Sequence, residues 1–355
     1  GCTEPIAMAY AAARARQTLG KMPDKIDIVI SGNIIKNVKS VVVPNTGGLK
    51  GIAAAVAAGA VVGDADRQLE VLSYVKPEEI PKIAEFMDKC QMTVIKSDSG
   101  KLLDIDLHMY SGTDSVRLRI CDNHTNIVLI EKNGEVLFKK DSDDGESGET
   151  DRSVLNVRDI LDFAQSVRLE DVSDMLGRQI EYNLAISEEG LRGNYGASIG
   201  KTLLETRGND VRVRARAQAA AGSDARMSGC ELPVVILSGS GNQGITASVP
   251  VVRYAMHLGV SREKLYRALL VSDLITIHQK SGIGRLSAYC GAVSAGVGAG
   301  AGIAYLLDGS YEAVAHTVVN AVAIISGTIC DGAKPSCAAK IAASVDAGLL
   351  GYAMY

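Results

Sequence analysis

The sequence predicts an α+β fold: a mixed strand and helix region on the N-terminal side, followed by a mainly helical, Ala/Gly-rich region. Three observations point there. Strand-like apolar runs cluster between residues 26 and 131. An acidic, Ser/Gly-rich stretch, DSDDGESGETDRS at 141–153, then breaks the pattern as an exposed loop or domain junction. Beyond it the helical period dominates. At 355 residues the chain is long enough for two domains.

Taken in order, residues 3–20 (TEPIAMAYAAARARQTLG) read as a helix, with Thr3 as its cap, Pro5 in its first turn and Gly20 at its end. Residues 1–24 are therefore set apart as an N-terminal helix packing on the helical domain, 25–150 as an α/β domain, and 151–355 as the helical domain. From Ile26 the pattern changes: IDIVIS and SVVV are strand-like, Gly47 and Gly48 make a turn, and GIAAAVAAGAVVG is an Ala-rich helix. Strand runs at 92–97, 102–109, 115–121 and 126–131 are separated by Asp-Ser-Gly, Ser-Gly-Thr and Asn-Gly, which are hairpin signals. After the acidic stretch, Val157, Ile160, Leu161, Ala164 and Val167 follow helical spacing, with Asn156 as the cap. Arg207 precedes Arg212, Arg214 and Arg216, whose alternation suits one solvated face of a strand as well as a basic patch.

Composition narrows the function. The chain is 47% apolar and 22% charged, as globular domains are, but has no Trp and only 4% aromatics, so Ala, Val, Ile, Leu and Met must build its core. Its net charge of −4 excludes a general affinity for nucleic acid or acidic lipid. Seven cysteines, an odd number in a chain too long to need disulfide staples, favour a reducing, cytoplasmic setting with thiols kept for metal or chemistry. No charged-plus-apolar leader follows Gly1-Cys2. Leu286 to Leu307 runs 22 residues without charge, long enough for a bilayer. Its Ala, Gly and Ser content, with five glycines from Gly291 to Gly302, instead fits a helix buried close against other helices.

Two loops carry the chemistry. Ser238-Gly239-Ser240-Gly241-Asn242-Gln243-Gly244 follows LPVVIL and opens a helical run. A Gly-rich turn at a helix start presents backbone N–H groups and a positive dipole end, which suits a carboxylate or phosphate. It lacks the Gly-Lys-Ser/Thr ending of a nucleotide loop. The second loop, GTICDGAKPSCAAK at 327–340, separates Cys330 and Cys337 by six residues that include Gly and Pro. Both thiols can turn toward one point, with Lys334 to offset negative charge. That spacing matches neither zinc pairs nor ferredoxin runs, and Cys290 in LSAYCGAV stands alone. On spacing, buried structural thiols and metal ligands both remain open.

Seven ordered strings resemble the L-cysteine desulfidase family, which is related to the alpha chain of iron–sulfur L-serine dehydratases: GCTEP at 1–5, NIIKNVKSVVVPNTG at 33–47, HTNIV at 124–128, SDARM at 223–227, SGSGNQGITA at 238–247, GRLSAYCGA at 284–292 and CDGAKPSC at 330–337. The resemblance implies a [4Fe–4S] cluster held by Cys290, Cys330 and Cys337, with one iron lacking a protein ligand and so able to act as a Lewis acid. It also implies that Cys2, before Thr-Glu-Pro, is the catalytic acid/base, its thiol favoured as thiolate at a helix N-terminus. Cys90, Cys121 and Cys230 match nothing in the pattern and read as buried thiols. His124 and His278 are weighed as substrate contacts against structural histidines, and Arg285 offers a bidentate fork to a substrate carboxylate.

The implied activity is β-elimination of L-cysteine to sulfide, pyruvate and ammonia, with the loop at 238–244 holding the carboxylate. Lyase action on L-serine or another β-substituted amino acid is the nearest rival, because the same site would serve a hydroxyl. A non-enzymatic metal-binding or redox-sensing protein is the rival from another class. The implied partner is a small amino-acid substrate, with no nucleic acid and no membrane. Chains of this class often pair into homodimers, although no residue pattern here specifies an interface.

Overall fold

A computed structural model describes residues 3–140, 151–284 and 286–355. It divides into two compact units, Gly1–Thr150 with Asp331–Ala333, and Asp151–Cys330 with Lys334–Tyr355. The α+β class holds: one six-stranded sheet lies in the first unit, and the described part of the second is helical.

The first unit opens with α1 (Thr3–Leu19), followed by β1 (Lys25–Ile30), α2 (Gly32–Val38), α3 (Gly51–Val62) and α4 (Ile80–Lys89). The strands β2 (Gln91–Lys96), β3 (Asp104–Ser111), β4 (Asp114–Cys121), β5 (Ile127–Lys132) and β6 (Glu135–Lys139) complete it. Sheet order is β2-β1-β3-β4-β5-β6, with β1 parallel to β2 and every other pair antiparallel. Alternation fixes the faces: Ile26, Ile28, Ile30, Ile105, Leu107, Met109, Val116, Leu118 and Ile120 are all buried. Within this unit α1 packs on α3 and on strands β3 to β5, so residues set apart by the sequence share a core with the sheet.

Several sequence expectations change here. Asp-Ser-Gly at 98–100 does not close a hairpin, because β2 pairs with β1 and not with β3. Ser-Gly-Thr and Asn-Gly do join neighbouring strands, β3 to β4 and β5 to β6. The SVVV run makes only an isolated bridge, Val42 to Lys50, since helix α2 ends directly before it. Strand β6 and helices α2 and α4 were not anticipated. The acidic stretch at 141–150 lies outside the described residues.

The face of the sheet opposite the apolar one carries a buried acid. Asp104 is 1% exposed and is gripped by Arg119 through Nε at 2.8 Å and a second guanidinium nitrogen at 3.0 Å. Ser97 and Ser99 donate to the same carboxylate. Burial alone pushes this carboxyl up, but the bonds from Arg119, the two serines and the Cys121 thiol outweigh it and hold the group at about 2. Its unfolded value is about 3.9. A depressed folded value means that the stabilisation is complete above the unfolded value and is lost as pH falls toward 2. Arg119→Ala is accordingly expected to cost about 3 kcal/mol at pH 7 and much less at pH 2.5, as read by urea unfolding at the two pH values.

The second unit comprises α5 (Val157–Ser166), α6 (Ser173–Arg192), α7 (Ile199–Arg207), α8 (Val211–Met227), α9 (Gly241–Leu258), α10 (Arg262–Ile283), α11 (Gly291–Leu307), α12 (Tyr311–Ile325) and α13 (Cys337–Ala353). As expected, Asn156 caps α5, accepting from the Asp159 N–H at 3.0 Å. The alternating arginines lie on a helix, not a strand: Asp210 caps α8 by accepting from the N–H groups of Arg212 and Val213, and Ala-rich sequence continues it. Three alternating residues are too few to outweigh a good cap and high helix propensity.

Helix α11 is the axis of this unit, packed on α9, α10, α12 and α13. Its glycines permit that: a Cβ added at Gly300 would sit 2.6 Å from the Gly348 Cα of α13, so only paired glycines allow the two backbones this close. No described helix is long and apolar enough to cross a membrane.

Candidate active site in the helical unit

Cys290 caps the N-terminus of α11, where the helix leaves an extended segment. Its N–H donates to the Thr328 carbonyl at 2.9 Å, and the Cys330 N–H donates to the Ala288 carbonyl at 2.7 Å. Between these bonds Tyr289 and Ile329 form an antiparallel bridge. In such a ladder side chains alternate between faces. Tyr289 and Ile329 therefore share one face and are 55% and 65% exposed, while Cys290 and Cys330 share the other. Two cysteines 40 residues apart are thus paired by four residues of local ladder.

Cys337 is the first residue of α13, and its N–H donates to the Lys334 carbonyl at 2.9 Å. Lys340, one turn along the same helix, donates from Nζ to the Ile329 carbonyl at 2.9 Å and so ties α13 to the ladder. The three thiols share one electrostatic neighbourhood. Burial pushes the Cys290 thiol up, Cys330 and Cys337 push it further, and Lys340 opposes them. Burial likewise raises Cys337, with Lys340 and Arg226 opposing. Among the described residues no three His, Cys, Asp or Glu side chains converge as a single ion requires. An iron–sulfur cube is larger and takes each thiolate on a different iron. Three thiols gathered in one neighbourhood, with two cations beside them, have the chemistry to suit it.

The glycine-rich loop stands against this group. Ser238 and Gly239 form a turn, and Ser240 caps α9, its hydroxyl accepting from the Gln243 N–H at 3.5 Å. Ser238 has a left-handed φ of 46°, a conformation uncommon outside glycine. Asn242 accepts from the Arg226 guanidinium at 3.2 Å. Gln243 lies over the start of α11: a Cβ at Gly291 would meet its Nε2 at 2.7 Å, so any larger residue after Cys290 would displace the Gln243 amide. Gln243 is 5% exposed, and its Oε1 has no hydrogen-bond partner among the described residues. Buried acceptors are almost always satisfied, which marks this one as a place for a donor from a ligand. Nearby, burial pushes the Asp224 carboxyl up to about 6 although it accepts from the Ile199 N–H at 2.7 Å at the start of α7.

Of the residues singled out from sequence, Cys290, Cys330, Cys337 and the 238–244 loop are brought together in the second unit. His278 is half-buried on α10, and His124 sits in the turn joining β4 to β5 of the first unit. Cys2 and Arg285 lie outside the described residues. Cys90 and Cys121 are buried thiols of the first unit, pushed up by burial to about 11 and about 12, while Cys230 is half-buried in the second unit. Arg226 was overlooked. It is 6% exposed, bonded to Asn242 and close enough to Cys337 to act on its thiol. The string SDARM contained it, yet an arginine inside an Ala-rich helix gives no periodic signal of its role.

Residues 66–355 match the family model described as serine dehydratase alpha chain. The chain is also similar to three UPF0597 proteins. It is 60% identical to one from Desulfitobacterium hafniense, covering 100% of this chain and 83% of the relative. It is 52% identical to one from Lachnoclostridium phytofermentans, over 99% and 84% of the two chains. It is 49% identical to one from Treponema denticola, over 99% and 83%.

Proposed function

The chain belongs to the serine dehydratase alpha chain family, and from that premise we propose that it is an iron–sulfur lyase that removes the β-substituent of a small L-amino acid, with L-cysteine as substrate and L-serine as the alternative. The observation carrying this reading is the Tyr289–Ile329 bridge that sets Cys290 and Cys330 on one face, with α13 and its Cys337 tied to it through Lys340, beside the start of α9, where Asn242 bonds Arg226 and Gln243 Oε1 has no hydrogen-bond partner among the described residues.

In this reading the three cysteines hold a [4Fe–4S] cluster, which when bound supplies Lewis acidity toward the leaving atom of the substrate. The residues of the chain do the rest. Arg226 and the N-terminus of α9 bind the α-carboxylate, the guanidinium by a charge-assisted bond and the helix through its free N–H groups. Gln243 Oε1 accepts from the α-ammonium. Holding both groups fixes the Cα–H bond in one direction and leaves the β-carbon toward the cysteines. Cys2 takes the α-proton as general base, an assignment that rests on its position before Thr-Glu-Pro. Loss of the β-substituent leaves aminoacrylate, which tautomerises and hydrolyses to pyruvate and ammonia.

The decisive assay is anaerobic release of sulfide and pyruvate by iron-loaded protein, with L-cysteine and L-serine compared. Sulfide and pyruvate in equal amounts are expected from L-cysteine. Turnover of serine alone selects the dehydratase, and a colourless protein carrying stoichiometric zinc overturns the cluster. Cys2→Ala is expected to keep its iron and lose at least 10²-fold in rate; unchanged rate removes Cys2 from the mechanism.

A further inference from the structure

A cavity of about 360 Å³ opens beside Cys290, between α10, α11 and α12. Val293 and Val297 of α11, Ile283 of α10 and Val322 of α12 give it a predominantly apolar wall, with Gln279 and three serine and threonine residues on the remainder. Tyr289, also in the lining, is 55% exposed and stands at its rim. Neither Cys330 nor Cys337 lines it, so it is not the space that the three thiols share.

Its size exceeds what the lyase reading requires. Pockets of about 300–1,000 Å³ enclose ligands with many heavy atoms, whereas the β-substituent of cysteine or serine is one atom. Its position is set by α11. Gly291 meets Gln243 on one side of the helix start, while Cys290, Val293 and Val297 of the same helix line the cavity. The cavity therefore begins at Cys290, one residue from the Gly291 that Gln243 lies against, so the proposed amino-acid anchor and the apolar chamber adjoin the same helix start.

We propose that this cavity receives the S-substituent of thioether amino acids, making S-alkyl-L-cysteines substrates of the chain; the inference rests on the lyase reading above. The α-proton is removed, the Cβ–S bond breaks with its electron pair going to sulfur, and the alkanethiolate leaves and is protonated. The aminoacrylate adds water and yields pyruvate and ammonium, so RS–CH2–CH(NH3+)–COO− plus water gives RSH, pyruvate and NH4+ with no oxidant or reductant. Apolar burial of the alkyl group favours it over a bare thiol, because each methylene removed from water adds binding.

The test uses S-ethyl-L-cysteine. Iron-loaded protein is assayed anaerobically for pyruvate and ethanethiol, alongside L-cysteine, for the wild type and for Val293→Phe and Val322→Phe. Both replaced residues line the cavity and are half-buried, and circular dichroism melting of each variant checks that the fold is kept. The ratio of kcat/KM for S-ethyl-L-cysteine to that for L-cysteine is expected to fall about tenfold or more in each variant. Calorimetric binding of S-ethyl-L-cysteine to metal-free protein is expected to weaken in parallel. Turnover of L-cysteine without turnover or binding of S-ethyl-L-cysteine, or an unchanged ratio in both variants, overturns the substituent pocket and leaves the lyase reading standing. No elimination from either amino acid overturns the lyase reading, and this inference with it.

Discussion

Cys337→Ser protein is expected to purify without brown colour, to bind iron only at background level, and to lose β-elimination activity by roughly 10³-fold or more. Lewis acidity at the leaving atom supplies several kcal/mol of transition-state stabilisation, and each 1.36 kcal/mol is about tenfold in rate. On the proposed ligand set, removing one of three thiolates would leave a cluster with two protein bonds, and serine, a poor thiolate substitute, would not restore the third. The fold should survive. Cys337 occupies the first position of α13, where its backbone bond to Lys334 does not depend on the side chain. Circular dichroism melting within a few degrees of the wild type would separate loss of metal from loss of structure. Cys121→Ala is the control: Cys121 is buried on β4 of the first unit, and its replacement should leave iron content unchanged. Iron retained at wild-type stoichiometry in Cys337→Ser would remove this residue from the ligand set.

Arg226→Met is expected to keep its iron and lose kcat/KM by about 10²–10³-fold. Removing one preorganised, buried, charge-assisted donor costs about 3–4 kcal/mol in comparable sites. Arg226 is 6% exposed, bonds to Asn242 at the start of α9, and sits so close to Gly241 that a Cβ there would lie 2.4 Å from its Nε. A guanidinium held this tightly presents a fixed fork to a carboxylate. Arg226→Lys should recover part of the loss, because the charge remains but the planar fork does not. The split between constants is diagnostic: loss of a carboxylate anchor raises KM for L-cysteine, while inhibition by its decarboxylated analogue cysteamine, which lacks the group and cannot be turned over, changes far less. Loss of iron from Arg226→Met would place the residue with the cysteines instead of with the substrate.

Much of the fold was legible because local signals agree there. The helix at 3–20, the Asn156-capped helix and the Gly-rich turn opening α9 each combine a cap or terminator with a matching period. Short signals were less faithful. SVVV has strand propensity but no partner strand, and three alternating arginines lie on a capped helix. Strand β6 is wholly exposed, so no alternation of burial marks it. At the site, the rare strings singled out three cysteines that lie in the second unit, whereas nothing local indicated Arg226.

The sequence by itself determined the α+β class, the helix that places the 238–244 loop at its start, and the three cysteines as candidates for one metal group. These depend on neighbours within a few residues, where caps, periods and rare strings act. Tertiary structure decided the rest. It joined Cys290 to Cys330 through the Tyr289–Ile329 ladder, set Lys340 and Arg226 beside the thiols, laid Gln243 over Gly291, and opened the cavity along α11. The bonds and contacts involved join residues more than ten positions apart in sequence, Lys340 to Ile329 and Arg226 to Asn242 among them, and such meetings depend on helix packing, as where paired glycines let α11 and α13 approach to backbone contact, a distance no pattern in one segment can encode.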